Sequence, residues 1–255
     1  MRFAPSLAGN SALPSPLPRG TLGIPTLDAS LGGGLAWGCV HEFYAAEPED
    51  APAMAGFAAG LALQRNTGGS LLWLRSRCLL HKVGGFQANG WTELGGPSGH
   101  TLIGVISDRL MLLRAAVDAL RCQALEAVIV ESWGAMPELD LTASRRLVLA
   151  AEKSGVPLFL LRCDASPVPS AAQTRWQVSA APSRALPGNA PGRATFDISL
   201  LRQRSGPCGL SWRLEWDRDQ RQFLEAQISG DLASVPVRRP AASAGAELPD
   251  RRIAA

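Results

Sequence analysis

"EFYAAEPEDAPAMAGFAAGL", residues 42–61, decides the fold. A run of β-forming residues, Cys39 to Tyr44, leads into a turn of small and acidic residues. After the turn, Met54, Phe57, Ala58 and Leu61 recur at the spacing that puts them on one face of a helix. Strand, turn and helix in that order are the frame of a phosphate-binding P-loop, whose sequence rule is G-x-x-x-x-G-K-[ST]. Laid over the eight positions from Ala45, the rule's first Gly is Ala45, its second is Asp50, its Lys is Ala51 and its hydroxyl residue is Pro52. The frame is present and every working residue is absent.

A P-loop holds phosphate because Gly-rich backbone turns its N–H groups inward, a Lys reaches the outer phosphates and a hydroxyl ligates the metal. This turn carries Glu47, Glu49 and Asp50 and no cation. A carboxylate about 5 Å from a phosphate charge costs on the order of 3 kcal/mol at an effective dielectric of about 20. The acids suit the positive end of the following helix instead. The acid that ends an apolar strand, the Walker B position, is Glu131 in "AVIVES"; without the loop it is expected to be structural. A second acid, to activate water, is expected after another strand, but "LLWLRSRCLLH" offers Arg75, Ser76 and Arg77 there. No catalytic residue, no cofactor and no enzyme activity are expected.

Other chemistry is sparse. His41, His81 and His100 stand in no H-x-x-x-H or H-E-x-x-H frame, no G-x-S-x-G elbow occurs, and Cys39, Cys78, Cys122, Cys163 and Cys208 have no C-x-x-C spacing. Scattered free cysteines fit a reducing compartment, so a cytoplasmic location is expected. The formal charge of +3 is too small to argue for nucleic acid unaided. Its make-up points elsewhere: Lys82 and Lys153 are the only lysines, and arginine favours planar contacts at protein interfaces. No apolar run is long enough to cross a membrane, and the prolines of the first twenty residues leave no signal-peptide core.

Along the chain, residues 1–20 read as a flexible leader. From there "SLLWLR" (70–75), "TLIGVI" (101–106), "EAVIVES" (126–132) and "VPLFLLRC" (156–163) alternate with helical runs at 108–123 and 140–155, with Asp108 as an N-cap and Gly155 as a C-cap. Short apolar runs separated by amphipathic helices predict a three-layer α/β core with a mainly parallel sheet, assigned to residues 21–182. One short strand is expected near Trp176. Residues 183–229 hold "TFDISLLRQ" and "GLSWRLEWDRD" about the bend "RSGPCG", a predicted β-hairpin, and 230–255 read as a disordered tail.

The run "GIPTLDASLGGGLAWGCVHEFYAAEPE" (23–49) resembles the approach to the RecA core: Gly23, Leu27, Asp28, Gly33, Gly34, Leu35, Gly38, Glu42 and Tyr44 fit its pattern without a gap. "ALEAVIVESWGAM" and "GVPLFLLRC" fall where RecA-like proteins have the Walker B strand and the next one. Within that superfamily, the degenerate loop, "AAQTRWQVSAAPS" and the late "GLSWRLEWD" are similar to the ImuA family. That resemblance implies a non-catalytic adaptor in SOS-induced translesion DNA synthesis. Its implied partners are the inactive Y-family polymerase homologue ImuB and RecA, with indirect association to an error-prone replicative-type polymerase and DNA. Two departures from RecA stand out: the stretches after Glu131 and after Cys163 are short, so both DNA-contacting loops are truncated and filament formation on DNA is not expected. The alternatives are a cell-division inhibitor resembling SulA and a divergent RecA-like ATPase. Partner contacts are expected from the region after residue 180, at Trp212, Arg213 and Trp216 of the hairpin and at Arg238, Arg239, Arg251 and Arg252 of the tail.

Overall fold

The computed structural model describes residues 17–226 apart from Ser98; Arg238, Arg239, Arg251, Arg252 and the expected tail lie outside them. The N-terminal segment is organised by one carboxylate. Helix α1 (Pro25–Ser30) carries Asp28, whose side chain accepts hydrogen bonds from the Leu22 and Gly23 N–H groups and from Thr21 Oγ1. Its carbonyl accepts from the Gly33 and Gly34 N–H groups. The last of these glycines is obligatory, since it lies at φ +112° and an added Cβ would fall 2.2 Å from the Gly20 carbonyl oxygen. The turn thus formed lets β1 (Arg19–Gly20) pair with β2 (Leu35–Ala36) and delivers the chain to β3 (Val40–Ala45).

β3 begins a nine-stranded sheet. After it come α2 (Ala51–Arg65), β4 (Ser70–Ser76), α3 (Arg77–Val83), α4 (Ala88–Glu93), β5 (Thr101–Ile106), α5 (Arg109–Ala119), β6 (Leu125–Trp133), α6 (Leu141–Ser154), β7 (Leu158–Cys163), β8 (Thr174–Ala180), β9 (Thr195–Gln203), β10 (Leu210–Asp217) and β11 (Gln222–Glu225). The strand order is β11-β10-β9-β8-β3-β7-β6-β4-β5. The six strands from β8 to β5 are parallel, and β9, β10 and β11 continue antiparallel from β8. β3, β6 and β7 are buried almost throughout, as central strands covered on both faces must be. Asp108 and Asp140 cap α5 and α6 by accepting from Met111 N and Ala143 N, and Gly155 closes α6 in the left-handed region.

Two apolar clusters fill the layers. One lies under α1, α2, α3 and α4 and contains Phe43, Phe57, Trp73, Phe159 and Trp176; the other lies under α5 and α6 and contains Val40, Leu74, Leu147 and Leu160. The first cluster runs without a break into Phe196, Ile198, Leu200, Leu214, Trp216 and Phe223 of the last three strands. The hairpin therefore extends the main sheet, and residue 182 does not divide two packing units. The stretches 77–83 and 88–93, unassigned by sequence, are helices, and β11 adds a strand that the sequence pattern did not announce.

His41 shows how polar groups of the core are satisfied. Its Nε2 lies 2.8 Å from the Ala36 carbonyl and its Nδ1 2.6 Å from Thr174 Oγ1, which accepts from Trp176 Nε1. That chain fits the neutral ring protonated on Nε2, and burial lowers the His41 pKa to about 4.

Candidate functional site

The loop after β3 is closed by its own acids. Glu47 and Asp50 form a reciprocal box in which each side chain accepts from the other residue's backbone N–H, around a single turn of 3₁₀ helix at Pro48–Asp50. Asp50 also accepts, through its second oxygen, from the Ala180 N–H at 2.8 Å, and Ala46 N–H donates to the Val178 carbonyl. Two N–H groups of the turn, those of Glu47 and Asp50, are thus met by its own carboxylates and a third, that of Ala46, by a β8 carbonyl, and the turn is tied to the end of β8. Asp50 stands at the N-cap of α2 without giving it a side-chain capping bond; its oxygens are committed to the turn and to β8. The side chains of Ala45, Ala51 and Pro52 supply no donor or cation, and Pro52 removes an N–H at the start of α2.

Glu131 ends in a buried ion pair. β6 and β4 are parallel neighbours with Glu131 in register with Arg75, so both side chains rise from the same face. Arg75 Nε donates to Glu131 Oε2 at 2.8 Å, with side chains 7% and 2% exposed. Trp73 Nε1 donates to the same oxygen at 3.1 Å, and Arg75 Nη1 donates to the Gly84 carbonyl. Burial pushes the Glu131 carboxyl above the usual carboxylate range, with the Arg75 charge and the bonds from Arg75 and Trp73 offsetting part of that. One carboxylate oxygen, Oε2, thus serves two donors in the protein. The sequence showed that Arg75 replaces an acid, and it missed that Arg75 neutralises Glu131. Register between non-consecutive strands carries no local sequence signal.

Beside this pair, between the start of α2 and the α3–α4 segment, lies a cavity of about 270 Å³ walled by Pro52, Trp73, Phe86 and Trp91. Its lining is mostly apolar and its one cation, Arg75, is already compensated, so it does not suit a polyphosphate. A second ion pair joins neighbouring strands β3 and β8, where Arg175 donates to Glu42 at 2.9 Å and lies 5.7 Å over the Tyr44 ring. Among the described residues no cluster of three His, Cys, Asp or Glu side chains could hold a metal, and no helix is long and apolar enough to cross a membrane.

The hairpin residues separate into two kinds. Trp216 is 3% exposed, lies tilted against Phe223 with ring centroids 4.8 Å apart and donates its Nε1 to the Leu94 carbonyl. The partner contact expected at Trp216 from the sequence is corrected by its burial, because β10 packs that face against α2 and the end of α4. Trp212 is half-buried, lies against Trp176 and donates to Thr26 Oγ1. Arg213 points outward and makes a bidentate pair with Asp197, both bonds at 2.7 Å.

Comparison with known proteins adds the lineage. No protein-family model matches the chain. Among solved structures it is similar to the crystal structure of the RadB recombinase, with a TM-score of 0.53 and 16% identity over 81% of this chain and 99% of that one. That likeness shows the RecA-like fold expected from the sequence. In sequence it is 32% identical over 217 residues to the protein named ImuA in two strains of Caulobacter vibrioides, covering 79% of this chain and 84% of those proteins. The chain belongs to the ImuA family.

Proposed function

We propose that the protein is a non-catalytic RecA-like adaptor of damage-induced translesion synthesis, which neither binds nor hydrolyses nucleotide. The observation that carries this reading is the closed loop: Glu47 and Asp50 occupy its donors while Arg75 neutralises the Walker B acid. The family supplies the setting, in which the polymerase homologue ImuB is the direct partner and RecA a second one. The contact surface is the outward face of the hairpin at Arg213 and the exposed edge of Trp212, together with Arg238, Arg239, Arg251 and Arg252. Family membership favours this reading over a SulA-like inhibitor.

Titration calorimetry with ATP and Mg²⁺ tests the first part: no heat of binding is expected, and a dissociation constant in the micromolar range refutes it. For the second part, capture of ImuB should weaken with Arg213→Glu and with truncation after residue 229. Truncation after residue 182 is not a usable control, because it removes Phe196, Leu214, Trp216 and Phe223 from the core. Undiminished capture by both variants would move the interface elsewhere.

A further inference from the structure

Among the described residues, the edge of the sheet opposite the hairpin is β5, "TLIGVI", which pairs with β4 alone. The ladder starts with Leu71 N–H donating to the His100 carbonyl, and a parallel strand turns alternate residues toward its neighbour. Leu102, Gly104 and Ile106 therefore use their backbone groups on β4. The N–H and C=O groups of Thr101, Ile103 and Val105 point away from the sheet, and no described residue meets those of Ile103 or Val105. Edges left in this state are normally blunted by a charge, a proline or a bulge. β5 has none of these, and its register with β4 has no shift.

The side chains along this edge are apolar and open on both faces. Leu102 is 58% exposed on the α5 face, and Ile103 and Val105 are 38% and 44% exposed on the other. Leu110 and Met111 at the start of α5 are exposed beside them. The flank is basic: Arg77, Arg109 and Arg114 are exposed, and none is ion-paired among the described residues, Arg77 meeting only Ser107 Oγ and Arg114 only Met111 Sδ. Asp108, the nearby acid, is engaged in capping α5.

We infer that β5 is a docking edge for an extended, acidic segment of a partner protein, which adds a tenth strand to the sheet. Main-chain bonds to Thr101, Ile103 and Val105 hold the strand, apolar side chains alternate over Ile103 and Val105 on one face and Leu102 on the other, and acids at its end meet Arg77 and Arg109. A second copy of this chain is the competing occupant. It is disfavoured by charge, because antiparallel pairing of two β5 edges places these arginines beside His100 of the other copy, which offers no carboxylate.

Ile103→Pro gives a clean test. The Ile103 N–H is not used by β4, and proline is tolerated at an edge position whose N–H faces solvent, so the ladder to β4 survives while an added strand loses a bond. The probe is the labelled peptide Asp-Glu-Val-Thr-Val-Thr-Val-Glu-Asp, with Lys-Lys-Val-Thr-Val-Thr-Val-Lys-Lys as its counterpart, titrated by fluorescence anisotropy against the full chain. The acidic peptide should bind at least tenfold tighter than the basic one and slow amide exchange at Ile103 and Val105. Binding should fall at least tenfold in Ile103→Pro and in the Arg77→Glu, Arg109→Glu double variant, with thermal midpoints unchanged. Absence of exchange protection, equal binding of the two peptides, or retained binding in Ile103→Pro overturns the inference. So does a concentration-dependent dimer in sedimentation that Ile103→Pro abolishes, which would give the edge to a second copy.

Discussion

Replacing Arg75 by Met tests whether the Arg75–Glu131 pair at the Walker B position is structural. The pair is 2.8 Å long and nearly solvent-free. Unit charges about 4 Å apart interact by about 4 kcal/mol at an effective dielectric of 20, and removing one partner of a buried pair costs about 3–5 kcal/mol. Arg75→Met should therefore lose about 4 kcal/mol at pH 8, a large share of the 5–15 kcal/mol typical of a domain (roughly). The loss should shrink on acidification. Without Arg75, the Glu131 carboxyl keeps its burial and loses its main offset, so its folded pKa rises further above the unfolded value of about 4.5. A group shifted upward contributes stability that is complete below the unfolded pKa and is lost as pH rises through the folded one. The variant's deficit relative to the parent must therefore grow from pH 5 to pH 8. Urea unfolding followed by tryptophan fluorescence at both pH values measures it, with slopes compared to check the two-state assumption. The double variant Arg75→Met, Glu131→Leu removes both charges and should recover most of the loss. A deficit under about 1 kcal/mol at pH 8, or one equal at both pH values, would refute the reasoning.

Three further outcomes follow from named contacts. An added Cβ at Gly60 would sit 2.7 Å from the Phe223 ring, so Gly60→Ala should destabilise by about 1–3 kcal/mol, whereas at Gly56 it clears Phe196 at 3.6 Å and the same change should gain up to about 1 kcal/mol; urea midpoints decide both signs. The His41 ring, held neutral by burial, should stay unprotonated in NMR titration down to about pH 4. Because this pKa lies below the free value of 6.5, its contribution of about 3 kcal/mol is present above pH 6.5 and lost toward pH 4; a midpoint near 6.5 would contradict it. Asp50→Ala removes acceptors from Glu47 N–H and Ala180 N–H and should cost about 2 kcal/mol by chemical denaturation without creating ATP binding by calorimetry.

The layered core was legible in the sequence because its signals are local. Asp108 and Asp140 precede periodic runs, Gly155 ends one, and "AVIVES" and "VPLFLLRC" are apolar enough to be buried on both faces. The Asp28 turn was legible as a motif, and its bonds to residues 21–23 and 33–34 give the physical reason for its Gly-x-x-x-Leu-Asp spacing. What escaped reading depends on contacts between distant segments. Glu131 faces Arg75 across 56 residues, and Asp50 meets Ala180 across 130. β11 is four residues long with a single buried apolar side chain, Phe223, too short for an alternation to stand out. Trp212, Leu214 and Trp216 share one face of β10 by their two-residue spacing, but whether that face meets solvent or the core is a property of what lies above it.

What lies above it is α2, and this connects the loop after β3 to the last three strands. α2 is built largely of Ala and Gly, with Ala58, Ala59, Gly60 and Ala62 all buried. Such a helix has almost no amphipathic signature, yet it lets large rings approach its backbone: Phe57 lies 5.8 Å from Phe196 and 5.0 Å from Phe223, and Trp216 and Phe223 both crowd Gly60. A helix that positions a phosphate at its first turn must hold that turn open to ligand. Here the first turn is closed by Asp50 and Pro52, and the remaining length serves as a post against which β9, β10 and β11 pack. Trp216 carries the connection onward by donating to the Leu94 carbonyl, at the edge of the aromatic cavity beside Arg75 and Glu131. Sheet extension, closed loop and compensated acid are thus parts of one packed unit. Introducing only a Lys and a Thr at Ala51 and Pro52 would leave the Glu47 and Asp50 carboxylates on the turn and Arg75 on Glu131, so those two substitutions by themselves are not expected to confer nucleotide binding, and calorimetry of that variant with ATP and Mg²⁺ checks it.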